Sequence, residues 1–164
     1  MTATWHIESA ESAEAIAAVR ALLEEYWRSF GFTPCFQNFA SELAGLPGVY
    51  VPPGGRLALA SIGGQPAGCI ALRRVDAHYA EAKRLYVRPA FRGCGLGRAL
   101  MEWMIAEARA AGYREVGGDT MPVMRNALAL YERMGFERTD TGQHLQASAF
   151  PQISDESIPI RIKL

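Results

Sequence analysis

Between Arg92 and Gly97 the chain reads Arg-Gly-Cys-Gly-Leu-Gly, and the residues after it, Arg98-Ala-Leu-Met-Glu-Trp-Met104, have helical spacing. Ahead of the loop, Leu85, Tyr86 and Val87 favour a strand, which Arg88-Pro89 ends because proline has no N–H for a ladder. A strand, a glycine-rich turn and a helix start make an anion site. The first N–H groups of a helix have no partner within it, and the helix dipole places partial positive charge there. Glycine lets the backbone take positive φ and approach a phosphate closely. Two phosphate motifs are excluded: the dinucleotide fingerprint needs a glycine where Arg98 stands, and the Walker loop needs a closing Gly-Lys-Ser/Thr. From Glu81 to Arg98 there are five basic residues, Lys83, Arg84, Arg88, Arg92 and Arg98, and one acid, Glu81. Positive charge gathered at a helix-start loop suits a small polyanion. The blander readings are a turn that only connects strand to helix and a chance cluster on a solvated face.

The rest of the composition narrows the field. The chain has 164 residues, which fits one domain over 1–164, and its 17 basic and 17 acidic residues cancel. That balance gives no reason to expect nucleic acid or an anionic membrane as partner. Cys35, Cys69 and Cys94 are scattered without metal-ligand spacing, so no metal site is expected, and a reducing, cytoplasmic setting is. Cys94 reads as a small residue in the loop. No signal-peptide core opens the chain, and no apolar run approaches the length of a membrane span.

The elements around the loop follow from periodicity. Trp5 to Glu8 suits a short strand, and Ser9 or Ser12 a helix cap. From Ala13 to Phe30, Ile16, Val19, Leu22, Leu23, Tyr26, Trp27 and Phe30 recur at three- and four-residue spacing, which predicts an amphipathic helix ended by Gly31. A second helix is expected from about Phe36 to Ala44. Arg56 to Ile62 and Ala67 to Val75 read as a hairpin around Gly63-Gly64-Gln65-Pro66. The helix after the loop runs to about Ala111, with Leu96, Ala99, Leu100, Trp103 and Ala106 inward and Gly112 as its cap. Tyr113 to Gly118 reads as a strand that Asp119-Thr120-Met121-Pro122 breaks. Val123 to Met134 carries the stripe Ala127, Leu130, Tyr131, Met134 and closes at Gly135-Phe136. Phe136 to Asp140 suits a short strand, and residues 141–157 with His144 read as loop. Ile158 to Leu164 alternates as a final strand whose Pro159 suggests an edge.

Two stretches together resemble a known family. Arg92-x-x-Gly-x-Gly97, following Glu81-x-Lys-Arg-Leu-Tyr-Val-Arg-Pro89, is similar to the coenzyme A pyrophosphate loop of the GNAT family of N-acetyltransferases. Asn126-x-x-Ala-x-x-Tyr131-x-x-x-Gly135-Phe136 resembles the helix that follows in the same proteins. In order and at suitable separation, the two cover about Glu81 to Phe136. The resemblance implies an α/β fold with a mixed, mostly antiparallel central sheet flanked by helices, in which a parallel strand pair forms the acetyl-CoA cleft. It implies acetyl-CoA as cosubstrate and the primary amine of a small molecule or peptide as acceptor, and it allows a homodimer. The alternative is a CoA- or acyl-CoA-binding regulatory module without turnover, because fold does not dictate function.

The resemblance also distributes roles. The N–H groups of Arg92, Gly93, Cys94, Gly95, Leu96, Gly97 and Arg98 would hold the pyrophosphate, with Arg92 and Arg88 adding charge. The backbone of Leu85, Tyr86 and Val87 would pair with the pantetheine amides and polarise the thioester. Asn126 would contact the cofactor, or cap its helix. Glu81 is the candidate base for the amine, against the alternative of a surface carboxylate paired with Lys83 or Arg84. Tyr131 is the candidate acid for the leaving thiolate, against ordinary core packing; a phenol with an ordinary pKa of about 10 suits a thiol of about 8.5. The aromatic residues between Tyr26 and Phe39 would wall the acceptor pocket or simply fill the core.

Overall fold

The computed structural model describes residues 4–29, 36–120, 125–139 and 158–164. In chain order the strands are β1 (Trp5–Ser9), β2 (Arg56–Ile62), β3 (Gln65–Arg74), β4 (Tyr79–Val87), β5 (Glu115–Thr120), β6 (Glu137–Arg138) and β7 (Ile158–Lys163). The helices are α1 (Ala13–Arg28), α2 (Phe36–Ala44), α3 (Leu96–Ala110) and α4 (Arg125–Arg133). The described strands form one sheet in the order β1-β2-β3-β4-β5-β7-β6. Every pairing is antiparallel except β4 with β5, which is parallel. This is the mixed, mostly antiparallel sheet that the sequence predicts.

Strand alternation sorts the core into two layers. On β2, Leu57 and Leu59 face α1 and α2, while Ala58 and Ala60 face α3; on β3, Cys69 and Ala71 take the first side, Ile70 and Leu72 the second. Val19, Leu22 and Leu23 of α1 are fully buried in the first layer. There Trp27 stacks on Phe39 of α2, with ring centroids 3.9 Å apart and planes 4° from parallel. Those two aromatics are core. Phe30 and Phe32 lie outside the described residues.

Local chemistry sets the boundaries. The Ala15 N–H donates to the Ser12 Oγ at 3.1 Å, so Ser12 is the cap of α1. That helix ends at Arg28 with Ser29 as its cap, two residues short of expectation. The hairpin turn is tighter than expected: Ile62 faces Gln65, so the loop is Gly63-Gly64 alone, both at positive φ. α3 is rotated from its expected register. It buries Leu96, Leu100, Met101, Met104, Ile105 and Ala108, leaving Ala99 and Trp103 half-buried and Ala106 exposed. The methionines and Ile105 fill the gap between sheet and helix better than small alanines would.

Both α3 and α4 end in the same motif. Gly112 and Gly135 take φ of +91° and +95°. The Tyr113 N–H reaches the Ala108 carbonyl at 3.1 Å, and the Phe136 N–H reaches the Tyr131 carbonyl at 3.0 Å. At α4 the expected apolar contact follows, with the rings of Tyr131 and Phe136 5.8 Å apart.

β5 runs through Asp119 and Thr120, where the sequence pattern predicts a break, because β7 pairs with it along all six residues. Pro159 is not at the sheet edge, since β6 lies beyond β7. Its carbonyl accepts from the Thr139 N–H at 2.9 Å. A strand residue's N–H and C=O point the same way, so the missing proline donor costs only one bond, at the end of the two-residue β6. Cys35, Asp140 and the 141–157 loop with His144 lie outside the described residues.

Candidate active site

The site grows from the way β4 leaves β5. The two pair only where Tyr79, Ala80 and Glu81 face Glu115, Val116 and Gly117. Beyond that point β4 stays with β3 and β5 with β7, so a wedge opens between them. A β-bulge bends β4 there: Arg84 and Leu85 stand against the single residue Ile70, between the pairs Lys83–Ala71 and Tyr86–Cys69. Arg84 has φ of +62°, a left-handed conformation that costs a non-glycine residue free energy and must be held by its surroundings.

What holds it is a buried ion pair. The Arg84 Nη2 lies 2.6 Å from the Glu42 Oε2 of α2, and Nε donates to Oε1 at 3.3 Å. The Tyr50 hydroxyl donates to the same carboxylate, and the Arg84 guanidinium lies 5.3 Å from the centre of the Phe39 ring. Burial pulls the Glu42 pKa up, but Arg84 and the Tyr50 hydroxyl outweigh it and the net shift is downward.

The wedge forms a cleft between the two strands. Lys83, Arg84 and Leu85 line it from β4, and Gly117 and Gly118 from β5. The glycines are required there. A Cβ on Gly117 would collide with the Tyr79 side chain, and one on Gly118 would sit 3.1 Å from the Ala82 carbonyl oxygen. Tyr131 of α4 and Tyr26 of α1 close the cleft from either side of the sheet. Burial pushes the Tyr131 hydroxyl well above the usual tyrosine range, with the neighbouring Tyr26 adding to it; burial likewise takes Tyr26 up to about 12. Both phenols therefore stay protonated at neutral pH.

Glu81 sits at the vertex of the wedge, opposite Gly117. It is 5 % exposed. Its Oε2 accepts from Arg73, at 3.1 Å from Nη2 and 3.2 Å from Nε. The partner is therefore the residue directly across on β3, in place of Lys83 or Arg84. The Glu81 Oε1 is buried and, among the described residues, has no hydrogen-bond partner.

The glycine loop lies at the other end of β4. Gly93 and Gly95 have φ of +82° and +92°, and Gly95 is the cap of α3. The first backbone bond of the helix runs from the Ala99 N–H to the Gly95 carbonyl. The N–H groups of Gly93, Cys94, Gly95, Leu96, Gly97 and Arg98 therefore have no acceptor among the described residues. Leu96 anchors the helix start with a side chain that is 1 % exposed, and the Cys94 Sγ donates to the Phe91 carbonyl at 3.1 Å. The space next to Gly97 is bounded by Val87 of β4 and Leu130 of α4. Loop, strand end and the helix bearing Tyr131 meet at that point.

Several charges expected here are engaged elsewhere. Arg88, expected to add charge to an anion, has its Nη2 2.6 Å from Glu25 Oε1 and donates from Nη1 to the Pro66 carbonyl at 2.8 Å. Arg98 pairs with Glu102 at 2.8 Å. Arg92 is exposed; its Nε donates to the Val87 carbonyl at 2.9 Å and its guanidinium is 5.9 Å from the centre of the Tyr86 ring. The Tyr86 side chain is buried on the α1 side of the sheet. Asn126 belongs to α4, and its side chain lies outside the described residues.

Residues 16–136 match the acetyltransferase (GNAT) family. The chain belongs to that family. An uncharacterized N-acetyltransferase of Schizosaccharomyces pombe is 35 % identical over 127 residues, covering 76 % of this chain and 78 % of that one. The crystal structure of an acetyltransferase from Streptococcus agalactiae superposes with a TM-score of 0.81 at 23 % identity, over 98 % of both chains. The PaiA N-acetyltransferase of Thermoplasma acidophilum, solved in complex with coenzyme A, superposes with a TM-score of 0.72 at 15 % identity over 98 % of this chain and 99 % of its own.

Membership supports acyl transfer from an acyl-CoA by an N-acetyltransferase. The geometry of this GNAT chain suits that chemistry: open backbone donors for a diphosphate, a cleft with two protonated phenols, and a buried carboxylate at its vertex. Among the described residues, no cluster of His, Cys, Asp and Glu is placed to hold a metal, and no helix is long and apolar enough to cross a membrane. Sequence reasoning missed Arg73, Glu42 and Tyr50, which lie far from the motifs. It could have found Lys83 as a cleft residue, because strand alternation puts it on the same face as Glu81.

Proposed function

We propose that this GNAT protein transfers an acetyl group from acetyl-CoA to the primary amine of a small molecule or peptide, the amine attacking the thioester directly. The observation that carries this reading is the run of backbone N–H groups from Gly93 to Arg98 without an acceptor, placed where β4 and the Tyr131 helix converge. Such a run binds a diphosphate through its amides and the helix dipole. The pantetheine arm then lies along β4 from Val87 toward Leu85, where the bulge leaves β4 unpaired with β5.

Each step has a residue to serve it. Glu81 takes the proton from the ammonium, through its Oε1 and a bridging water, because its Oε2 is held by Arg73. The amine nitrogen attacks the carbonyl carbon, and a backbone N–H near Leu85 donates to the oxyanion. When the carbon–sulfur bond breaks, Tyr131 gives its proton to the departing thiolate. A phenol raised by burial is a reluctant acid, but a thiolate beside it in the same partly buried cleft is destabilised too, which brings the two closer to balance.

The test pairs calorimetric titration of acetyl-CoA with a thiol-release assay over a panel of amines. Binding with turnover of at least one amine is the expected result. Binding with no turnover of any amine replaces this reading with a CoA-binding module. Absence of binding overturns both. Glu81→Gln should lower kcat about a hundredfold with the preferred amine, and an unchanged pH profile would remove Glu81 as the base.

A further inference from the structure

The cleft has a chemical bias in its walls. Its polar side chains are Lys83, Arg84, Tyr26 and Tyr131, with no carboxylate, carboxamide or imidazole among the lining residues. At neutral pH all four are hydrogen-bond donors, and two of them are cations. Two cations and two phenols on one wall favour a ligand that brings acceptors to it. The thioester carbonyl supplies one acceptor. It does not call for two cations.

The cations differ in what they already hold. Arg84 is committed to Glu42 at 2.6 Å, and the nearby Arg73 to Glu81 at 3.1 Å. Lys83 has no ion-pair or hydrogen-bond partner among the described residues. Around it stand two arginines and two carboxylates already paired with them, so the ammonium is the one charge in excess. Its burial, with Arg84 and Arg73 adding repulsion, lowers the Lys83 pKa. A half-buried ammonium in that setting gains more from an anion than an exposed one would.

Position adds a second argument. Lys83 and Glu81 lie two residues apart on one strand, on the same face, which separates their backbones by about 6.6 Å. The free Oε1 of Glu81 serves the amine end of the acceptor. A carboxylate a few bonds from that amine reaches Lys83, which lines the cleft beside Arg84.

We infer that Lys83 is a specificity-determining residue that receives the carboxylate of the acceptor, so that the substrate class is small amines bearing a nearby carboxylate, of the amino-acid type. The inference rests on the acetyltransferase reading above and names the acceptor within it. A polyamine or an uncharged amine leaves the Lys83 ammonium facing a second cation or nothing.

The experiment compares each free amino acid with its amino acid amide as acceptor, in the wild-type protein, Lys83→Met and Lys83→Arg. Wild type should favour the acid over the amide by about ten- to a hundredfold in kcat/KM, the range of one charge-assisted hydrogen bond. Lys83→Met should bring that ratio close to one, and Lys83→Arg should restore much of it. A wild-type preference for amides, polyamines or peptides overturns the inference, as does a ratio that Lys83→Met leaves intact. The wild-type comparison decides the matter even if Lys83→Met fails to fold. A second readout separates this inference from the acetyltransferase reading: calorimetry of N-acetyl amino acids against N-acetyl amino acid amides on the CoA-loaded protein. Tighter binding of the acids in wild type, lost in Lys83→Met, supports Lys83 even without turnover; equal binding sinks it.

Discussion

At the start of α3 the arginines stand at the surface and the backbone carries the groups that suit an anion; at the vertex between β4 and β5, Arg84 is buried and already bound. Both regions belong to the same run of five bases between Glu81 and Arg98. In the loop, Arg92 and Arg98 are exposed, and the N–H groups of Gly93 to Arg98 have no described acceptor. At the vertex, Arg84 serves Glu42 and holds its own backbone in a left-handed turn. Arg88, between the two, serves Glu25. The lesson is that counting bases overstates a binding site. Charge that looks like a phosphate patch in one dimension is mostly scaffold in three, and beside Lys83 and Arg92 it is peptide groups, which no charge count registers, that remain open.

The sharpest way to break this comparison is at the vertex. Glu42→Ala strands a buried guanidinium, and the expected loss is about 3–5 kcal/mol of stability in urea unfolding. Arg84→Met together with Glu42→Leu should cost less than Glu42→Ala alone, because neither charge is then left alone. The pH dependence has a definite sign. Glu42 has a folded pKa below its ordinary value, so the pair stabilises the fold above that ordinary value and loses its contribution as pH falls through the folded one. Stability of the wild type should therefore fall in acid below about pH 4.5, and Glu42→Ala should flatten that fall. A loss under about 1 kcal/mol would show that the bulge needs no such tether.

The next effect is catalytic. Tyr131→Phe keeps the ring against Phe136 and removes only the hydroxyl in the cleft. Its kcat should fall about a hundredfold while acetyl-CoA affinity stays within about threefold. Full turnover at every pH tested would return Tyr131 to the role of packing.

The loop comes third. Gly95→Ala meets only an ordinary van der Waals contact with the Trp5 ring at 3.6 Å, so its cost is mainly the φ of +92°. That is about 1–2 kcal/mol. The change should weaken acetyl-CoA about tenfold by turning the cap away from the ligand. If affinity is unchanged, the loop backbone is not the diphosphate site.

How much of this could be read in advance divides along the same line. The helix caps at Gly112 and Gly135, the choice of Ser9 or Ser12 at the start of α1, and the loop were legible because each depends on neighbours in sequence: a hydroxyl three residues from an N–H, a glycine where φ turns positive; the sheet's mixed order came from the family resemblance. The rotation of α3 was not, since Ala99 and Met101 are both apolar enough to face inward and only the shape of the sheet chooses between them. The partner of Glu81 was not, because Arg73 reaches it through the register of β3 on β4. The tether from Glu42 to Arg84 joins residues 42 apart in the chain and leaves no periodic mark. Extension of β5 through Asp119 and Thr120 depended on β7, which arrives from the far end of the chain.

The smallest predicted difference tests the comparison most finely, because it lies within the loop itself. Arg92 and Arg98 are both exposed, and sequence alone gives no reason to rank them. Arg98 spends its charge on Glu102, a solvent-exposed pair four residues along the same helix. Such a pair contributes a few tenths of a kcal/mol at most, and its neighbouring acid cancels its field. Arg92 has no carboxylate partner among the described residues, and its bond to the Val87 carbonyl leaves the guanidinium charge unneutralised next to Gly93. Arg98→Ala should therefore change the acetyl-CoA dissociation constant less than about twofold. Arg92→Ala should raise it about three- to tenfold, with a weaker dependence on salt than wild type. Equal effects from the two would mean that Glu102 does not shield Arg98 and that the loop binds through side-chain charge after all. The contrast between an amide-built site and a charge-built scaffold would then fail at its most exposed point.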